Sequence, residues 1–115
     1  MAHDFDPAQL EEVTGGDPDF ERELLTEYLN SAPDDLLRLR AALDDRNATA
    51  AAASAHALKG SSATIGAQAV AMVAAELELA AKRNELADAP AGFARLEREF
   101  AALTLLLRGR IDRAA

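Results

Sequence analysis

Helix punctuation divides this chain more firmly than any other feature of its sequence. Asp6-Pro7 supplies an N-cap followed by proline at the first helical position, and Asp17-Pro18 repeats the signal. Gly15-Gly16 stops the first, short helix. Phe20, Leu24, Leu25, Tyr28 and Leu29 then follow at helical spacing. Pro33 interrupts, so a kink or restart is expected there. Leu36, Leu39 and Leu43 carry the apolar stripe to a turn at Asp44-Asp45-Arg46-Asn47. A third helix is predicted from Ala48 to Thr64, ending near Gly66. A fourth is predicted from Ala67 to Leu86, with Val70, Val73, Leu77 and Ala81 as its stripe. Asp88-Ala89-Pro90 opens a fifth, in which Phe93, Leu96, Phe100, Leu103 and Leu107 step by three and four.

Composition agrees. Among 115 residues there are 28 Ala and 17 Leu, both strong helix formers, while aromatics are only 4%, too few with the scarce β-branched residues for an extensive sheet. The expected architecture is all-α: one domain spanning 1–115, an antiparallel four-helix bundle with a short N-terminal helix packed across it. The Ala-rich stretch 48–57 fits a tightly packed helix better than a low-complexity linker. The absence of cysteine removes disulfides, thiol nucleophiles and Cys-based metal sites. No apolar run approaches a membrane span, and the start has neither a basic stretch nor an apolar signal core, so a cytoplasmic location is expected. A net charge of -8 argues against nucleic acid and anionic lipid as partners.

Chemistry concentrates on the third helix. On a helical wheel Ala52, Lys59, Gly60 and Ala63 all fall within roughly 60° of His56. Ala51, Ala55, Leu58, Ser62 and Ile65 lie on the opposite, greasier side, which should face the bundle. His56 is therefore expected to face outward, between small residues and beside one cation. Gly60 costs the helix about 0.5–1 kcal/mol relative to Ala, a conspicuous choice in an Ala-rich segment. Its return would be open access to a ring nitrogen. Lys59 places an ammonium where it could pair with a bound phosphoryl group. Imidazole is a competent nucleophile near neutral pH. Taken singly, each has a plainer reading: a solvated histidine, a glycine admitting close helix packing, a solvated lysine.

The run His56-Ala57-Leu58-Lys59-Gly60-Ser61-Ser62-Ala63-Thr64-Ile65-Gly66 resembles the signature of histidine-containing phosphotransfer (HPt) domains, a pattern close to H-x-L-K-G-S-S-x-x-x-G. The likeness extends through 15–20, Leu24-Leu25, 32–36 and Leu77-Glu78. It implies a helical bundle that carries a phosphoryl group on Nε2 of His56. The group would come from a receiver-domain aspartate and pass to another, without ATP-dependent kinase activity. Lys59 matches the family's lysine beside the histidine, and Gly60 the glycine that keeps the site open. Ala52, Ala63, Ala71 and Ala75 would form much of the receiver-docking surface. Lys82 matches a basic docking position. Glu78 stands where several members have a Gln that orients the imidazole; as a carboxylate it could accept a ring N–H, repel the phosphoryl group, or pair with Lys82 across one turn. Response-regulator receivers and a hybrid histidine kinase are the implied partners. No cofactor of its own is expected, Mg²⁺ belonging to the receiver, and a monomer is expected.

Two other readings compete. A histidine-kinase dimerisation bundle would place an acid directly after the histidine with a proline following, whereas Ala57 follows here. A helical adaptor without phosphotransfer would leave His56 incidental. A metalloenzyme lacks ligands, since the only other histidine, His3, sits in an N-terminus expected to fray, and no Glu-x-x-His pair is present. Nothing resembles the strand-to-helix nucleophile elbow of a Ser/His/Asp hydrolase.

Overall fold

The computed structural model describes the backbone of residues 5–114 and the side chains of residues 5–113. Its helices are α1 (Pro7–Thr14), α2 (Pro18–Asp44), α3 (Ala48–Thr64), α4 (Gln68–Lys82) and α5 (Ala89–Ala114). The helix starts are side-chain capped as their residue types require. The Asp6 carboxylate accepts the Ala8 N–H at 3.0 Å, Asp17 accepts Asp19 and Phe20, and the Asn47 amide oxygen accepts Ala50 at 3.0 Å.

Around the bundle α2 packs on α3, α3 on α4, α4 on α5 and α5 back on α2, while α1 packs on α2 and α3. Leu10, Leu25, Leu39, Leu58, Ile65, Val70, Val73, Leu96 and Leu107 fill the centre with almost no exposure. The predicted stripes of α4 and α5 are buried apart from the half-buried Phe100. Phe20, expected in the α2 stripe, is instead 42% exposed near the N-terminal end of that helix.

Two expectations need correction. Of the two outcomes expected at Pro33, a kink or a restart, the restart does not occur: α2 runs unbroken for 27 residues with Pro33 inside it. An interior proline costs about 3 kcal/mol. The buried stripe on either side of it (Leu25, Tyr28 and Ala32 before, Leu39 and Ala42 after) outweighs that cost, since each fully buried Leu contributes about 1.5–3 kcal/mol. The second correction is the end of α4, at Lys82 rather than Leu86. Asn84 adopts φ 54, which lets its N–H reach Ala81 O at 3.0 Å and the Glu85 N–H reach Ala80 O at 2.8 Å. The ends of α2 (Arg46, φ 54) and α3 (Gly66, φ 84) close with the same pair of reversed hydrogen bonds.

Gly66 also fixes the N-terminal crossing. Its carbonyl accepts the Asp6 N–H at 2.7 Å, and a Cβ there would run into the Asp6 backbone. This contact and the buried Phe5 hold the segment before α1 against the α3–α4 turn. Among the described residues no helix is long and apolar enough to cross a membrane.

Candidate functional site

The α3 wheel is realised: Ala51, Ala55, Leu58, Ser62 and Ile65 are buried, and the His56 side chain is 68% exposed. Of the small residues expected around it, Ala63 on α3 is exposed, whereas Ala52 on α3 and Ala71 and Ala75 on α4 are half-buried. Gly60 is exposed, and a Cβ built on it would meet nothing within 4 Å. Close packing is therefore not the reason for this glycine. The space over its Cα stays open one turn from the imidazole.

Glu78 departs most from expectation. A surface pair with Lys82 or a place on the docking surface would need an exposed side chain, yet Glu78 is only 4% exposed. The i, i+4 bond does form, Lys82 Nζ lying 3.0 Å from Oε2. The same carboxylate also crosses to α3, where His56 Nδ1 lies 2.9 Å from Oε2 and Lys59 Nζ 2.7 Å from Oε1. Its position on the inner edge of α4, in the row continuing from Ala71 and Ala75, is what brings these three partners together. The hydrogen bond from Lys59 is the largest cause holding this carboxyl down at about 2, from an ordinary 4.5. Burial pushes the other way, and the bonds from Lys82 and His56 reinforce Lys59.

That balance decides the imidazole's tautomer. A carboxylate ionised at neutral pH can only accept, so His56 must donate from Nδ1. In the neutral form of the ring the lone pair is then on Nε2, and the side chain that carries it is exposed. The arrangement presents a nucleophilic nitrogen over small residues, with the Lys59 ammonium on one side and Lys82 further along α4. Two of the bonds to Glu78, from the ring and from Lys82, are ones the resemblance and the i, i+4 spacing allowed; the bond from Lys59 has no local signal and comes only from the packing of α4 on α3. Among the described residues no group of three or more His, Cys, Asp or Glu side chains is placed to hold a metal ion. His3 lies outside the described residues.

The family model for the Hpt domain matches residues 23–105. This chain belongs to the HPt family. Over 98% of both chains it superposes on the crystal structure of histidine-containing phosphotransfer protein B (HptB) from Pseudomonas aeruginosa PAO1, with a TM-score of 0.92 and 34% identity. It is also 32% identical over 95 residues to the phosphorelay intermediate protein rdeA of Dictyostelium discoideum. That match covers 83% of this chain and 37% of the relative, so the chain spans well under half the length of that curated protein. The exposed histidine, the open glycine and the adjacent lysine of this HPt domain thus occur together on one face of α3.

Proposed function

We propose that the chain is a phosphorelay intermediate of two-component signalling. It accepts a phosphoryl group on His56 from a receiver-domain aspartate and passes it to another receiver. The observation that carries this reading is the tethered ring: Nδ1 donates to the buried Glu78 at 2.9 Å while the side chain remains 68% exposed. In the forward step the Nε2 lone pair attacks phosphorus, the Nε2–P bond forms, and the bond to the aspartyl oxygen breaks to release a carboxylate. No proton need move. Lys59 is within one turn of the nucleophile and supplies a mobile positive charge for the phosphoryl oxygens.

Most of the charge neutralisation in such a transfer belongs to the receiver, whose Mg²⁺ would sit against the leaving carboxylate. The HPt partner contributes the nucleophile, its orientation and a surface of small residues around it. Ala52, Ala63, Ala71 and Ala75 would admit a receiver closely, and Lys82 would meet its acidic rim. This division of labour fits a monomeric phosphocarrier in the cytoplasm, served by a hybrid histidine kinase and at least one response regulator, with no ATP chemistry of its own.

The deciding experiment incubates the purified chain with a receiver charged by acetyl phosphate and follows acid-labile phosphate. Wild type is expected to take up label and His56→Gln to take up none. Equal labelling of the two overturns the proposal, and labelling of neither favours an adaptor that binds without transfer.

A further inference from the structure

Glu78 faces the ring nitrogen that does not react, and that has a consequence for the return step of the relay. Once Nε2 carries phosphorus, the fate of the Nδ1 proton decides what leaves when the phosphoryl group moves on. A ring that keeps this proton departs as neutral imidazole. A ring that has lost it must depart as an imidazolide, a far stronger base and a far poorer leaving group. The ionisable groups gathered here are Glu78 and Lys82 from α4 and Lys59 from α3. On the opposite flank of α3, α2 contributes Tyr28, whose hydroxyl is bonded to Ser62 and does not reach the ring.

Resting on the phosphorelay reading above, we infer that Glu78 is a positioning residue that keeps Nδ1 protonated in phosphorylated His56 and so keeps the phosphoryl group labile. Its acceptor oxygen lies 2.9 Å from Nδ1, and the residue is buried, so water competes poorly for the proton. The two lysines hold the carboxylate ionised and acceptor-only. In the return step the Nε2–P bond breaks, its electron pair stays on Nε2, and phosphorus bonds to the acceptor aspartate. The Nδ1–H···Oε2 bond persists throughout. A glutamine at this position would still accept the N–H, but without charge, and it would release both ammoniums toward the phosphoryl oxygens. Both changes prolong the phosphorylated state; only the first depends on pH.

The test compares wild type with Glu78→Gln, an isosteric change. Each is phosphorylated by a charged receiver, separated from it, and followed for loss of phosphate to fresh receiver over a range of pH. The variant's phosphohistidine is expected to persist about tenfold longer, the factor by which a charge-assisted hydrogen bond outweighs a neutral one. The gap is expected to widen as pH rises from neutral into the mildly alkaline range. Equal lifetimes with parallel pH profiles overturn the inference while leaving the relay reading intact. Failure of wild type to accept phosphoryl at all overturns the relay reading, and this inference with it. The wild type alone gives a second check through ring ¹⁵N shifts of the phosphorylated protein. Nδ1 is expected to be protonated at mildly alkaline pH; an unprotonated Nδ1 there refutes the inference without reference to any variant.

Discussion

Two polar clusters sit on opposite flanks of α3, and they are built on opposite principles. Toward α2, Tyr28 Oη and Ser62 Oγ share one hydrogen bond of 2.7 Å, both residues buried. Toward α4, one carboxylate gathers two ammoniums and an imidazole at the edge of solvent. Desolvation is the largest influence on Tyr28, pushing its hydroxyl up to about 12 despite the bond to Ser62. On Glu78 hydrogen bonds from cations outweigh burial and push the carboxyl down to about 2. The neutral pair can be sealed in the core because it carries no charge to solvate. The charged cluster has to stay near water, and there its members remain available to a visiting group. One helix thereby separates a structural contact from a chemical one, with Ser62 only three residues beyond Lys59.

The largest stability effect is expected on the sealed side. Tyr28→Phe strands the fully buried Ser62 hydroxyl and should cost about 1–3 kcal/mol in urea unfolding, with phosphoryl uptake unchanged. Ser62→Ala should cost about as much. The double variant should recover most of the loss, because removing both partners leaves nothing unsatisfied. Strictly additive losses would show that the hydrogen bond is not what the two residues share. The alkaline limb gives a companion test. The folded-state Tyr28 value lies above the ordinary 10.0, so its contribution is complete below pH 10 and fades as pH climbs toward about 12. Tyr28→Phe should flatten that part of the stability profile.

On the open side, Gly60→Ala should separate stability from function. The added methyl meets nothing within 4 Å, so the helix should gain about 0.5–1 kcal/mol. Transfer from a receiver should slow, because the methyl stands on the open surface one turn from the imidazole, where a receiver would have to approach. A variant both more stable and equally fast would break the reading of Gly60 as an access residue. Gly66→Ala should go the other way, destabilising the fold, since φ 84 and the Asp6 backbone both exclude a side chain there.

This contrast also explains what could be read before the fold was known. The faces of α3 were legible because Leu58, Ser62 and Ile65 recur at the helical period opposite His56. The ends of α2 and α3 were legible in Asp44–Asn47 and Gly66. A restart at Pro33 was a fair alternative because the local cost of proline is visible in the sequence, whereas the burial of Ala32 and Leu39 that offsets it is not. The end of α4 was misplaced because Asn84, unlike a glycine, announces a left-handed turn only weakly. The Tyr28–Ser62 bond spans 34 residues and the His56–Glu78 bond 22, separations at which no periodicity operates. For Glu78 the i, i+4 spacing showed Lys82 and the family resemblance allowed the ring N–H, and both bonds form. The bond from Lys59 was not legible, because it depends on how α3 and α4 face each other.

Acid should reveal the charged cluster more gently than mutation reveals the sealed one. Glu78 is held below its ordinary 4.5, so its stabilising contribution is complete above that pH and is lost as pH falls toward about 2. Wild type should therefore lose more stability across this window than Glu78→Gln, with the two curves parallel above it. Curves that stay parallel throughout would mean that the lysine bonds do not favour the ionised form in the folded state.

The smallest effect is expected from Lys82→Met. The side chain is 61% exposed and its ammonium bonds Glu78 within its own helix, a setting in which an ion pair contributes only about 0.3–0.5 kcal/mol. Lys59, at 37% exposure and 2.7 Å, remains to hold the carboxylate, so the imidazole tether should survive and single-turnover transfer within a preformed complex should be nearly unchanged. Encounter should change instead. On a chain of net charge -8, an exposed cation beside the nucleophile is placed to steer an acidic receiver surface, and steering acts on association and weakens with salt. Lys82→Met should slow second-order transfer at low ionic strength, and the difference should vanish as salt is raised. A loss that persists at high salt would place Lys82 in the transfer step itself and move it into the chemical cluster with Lys59.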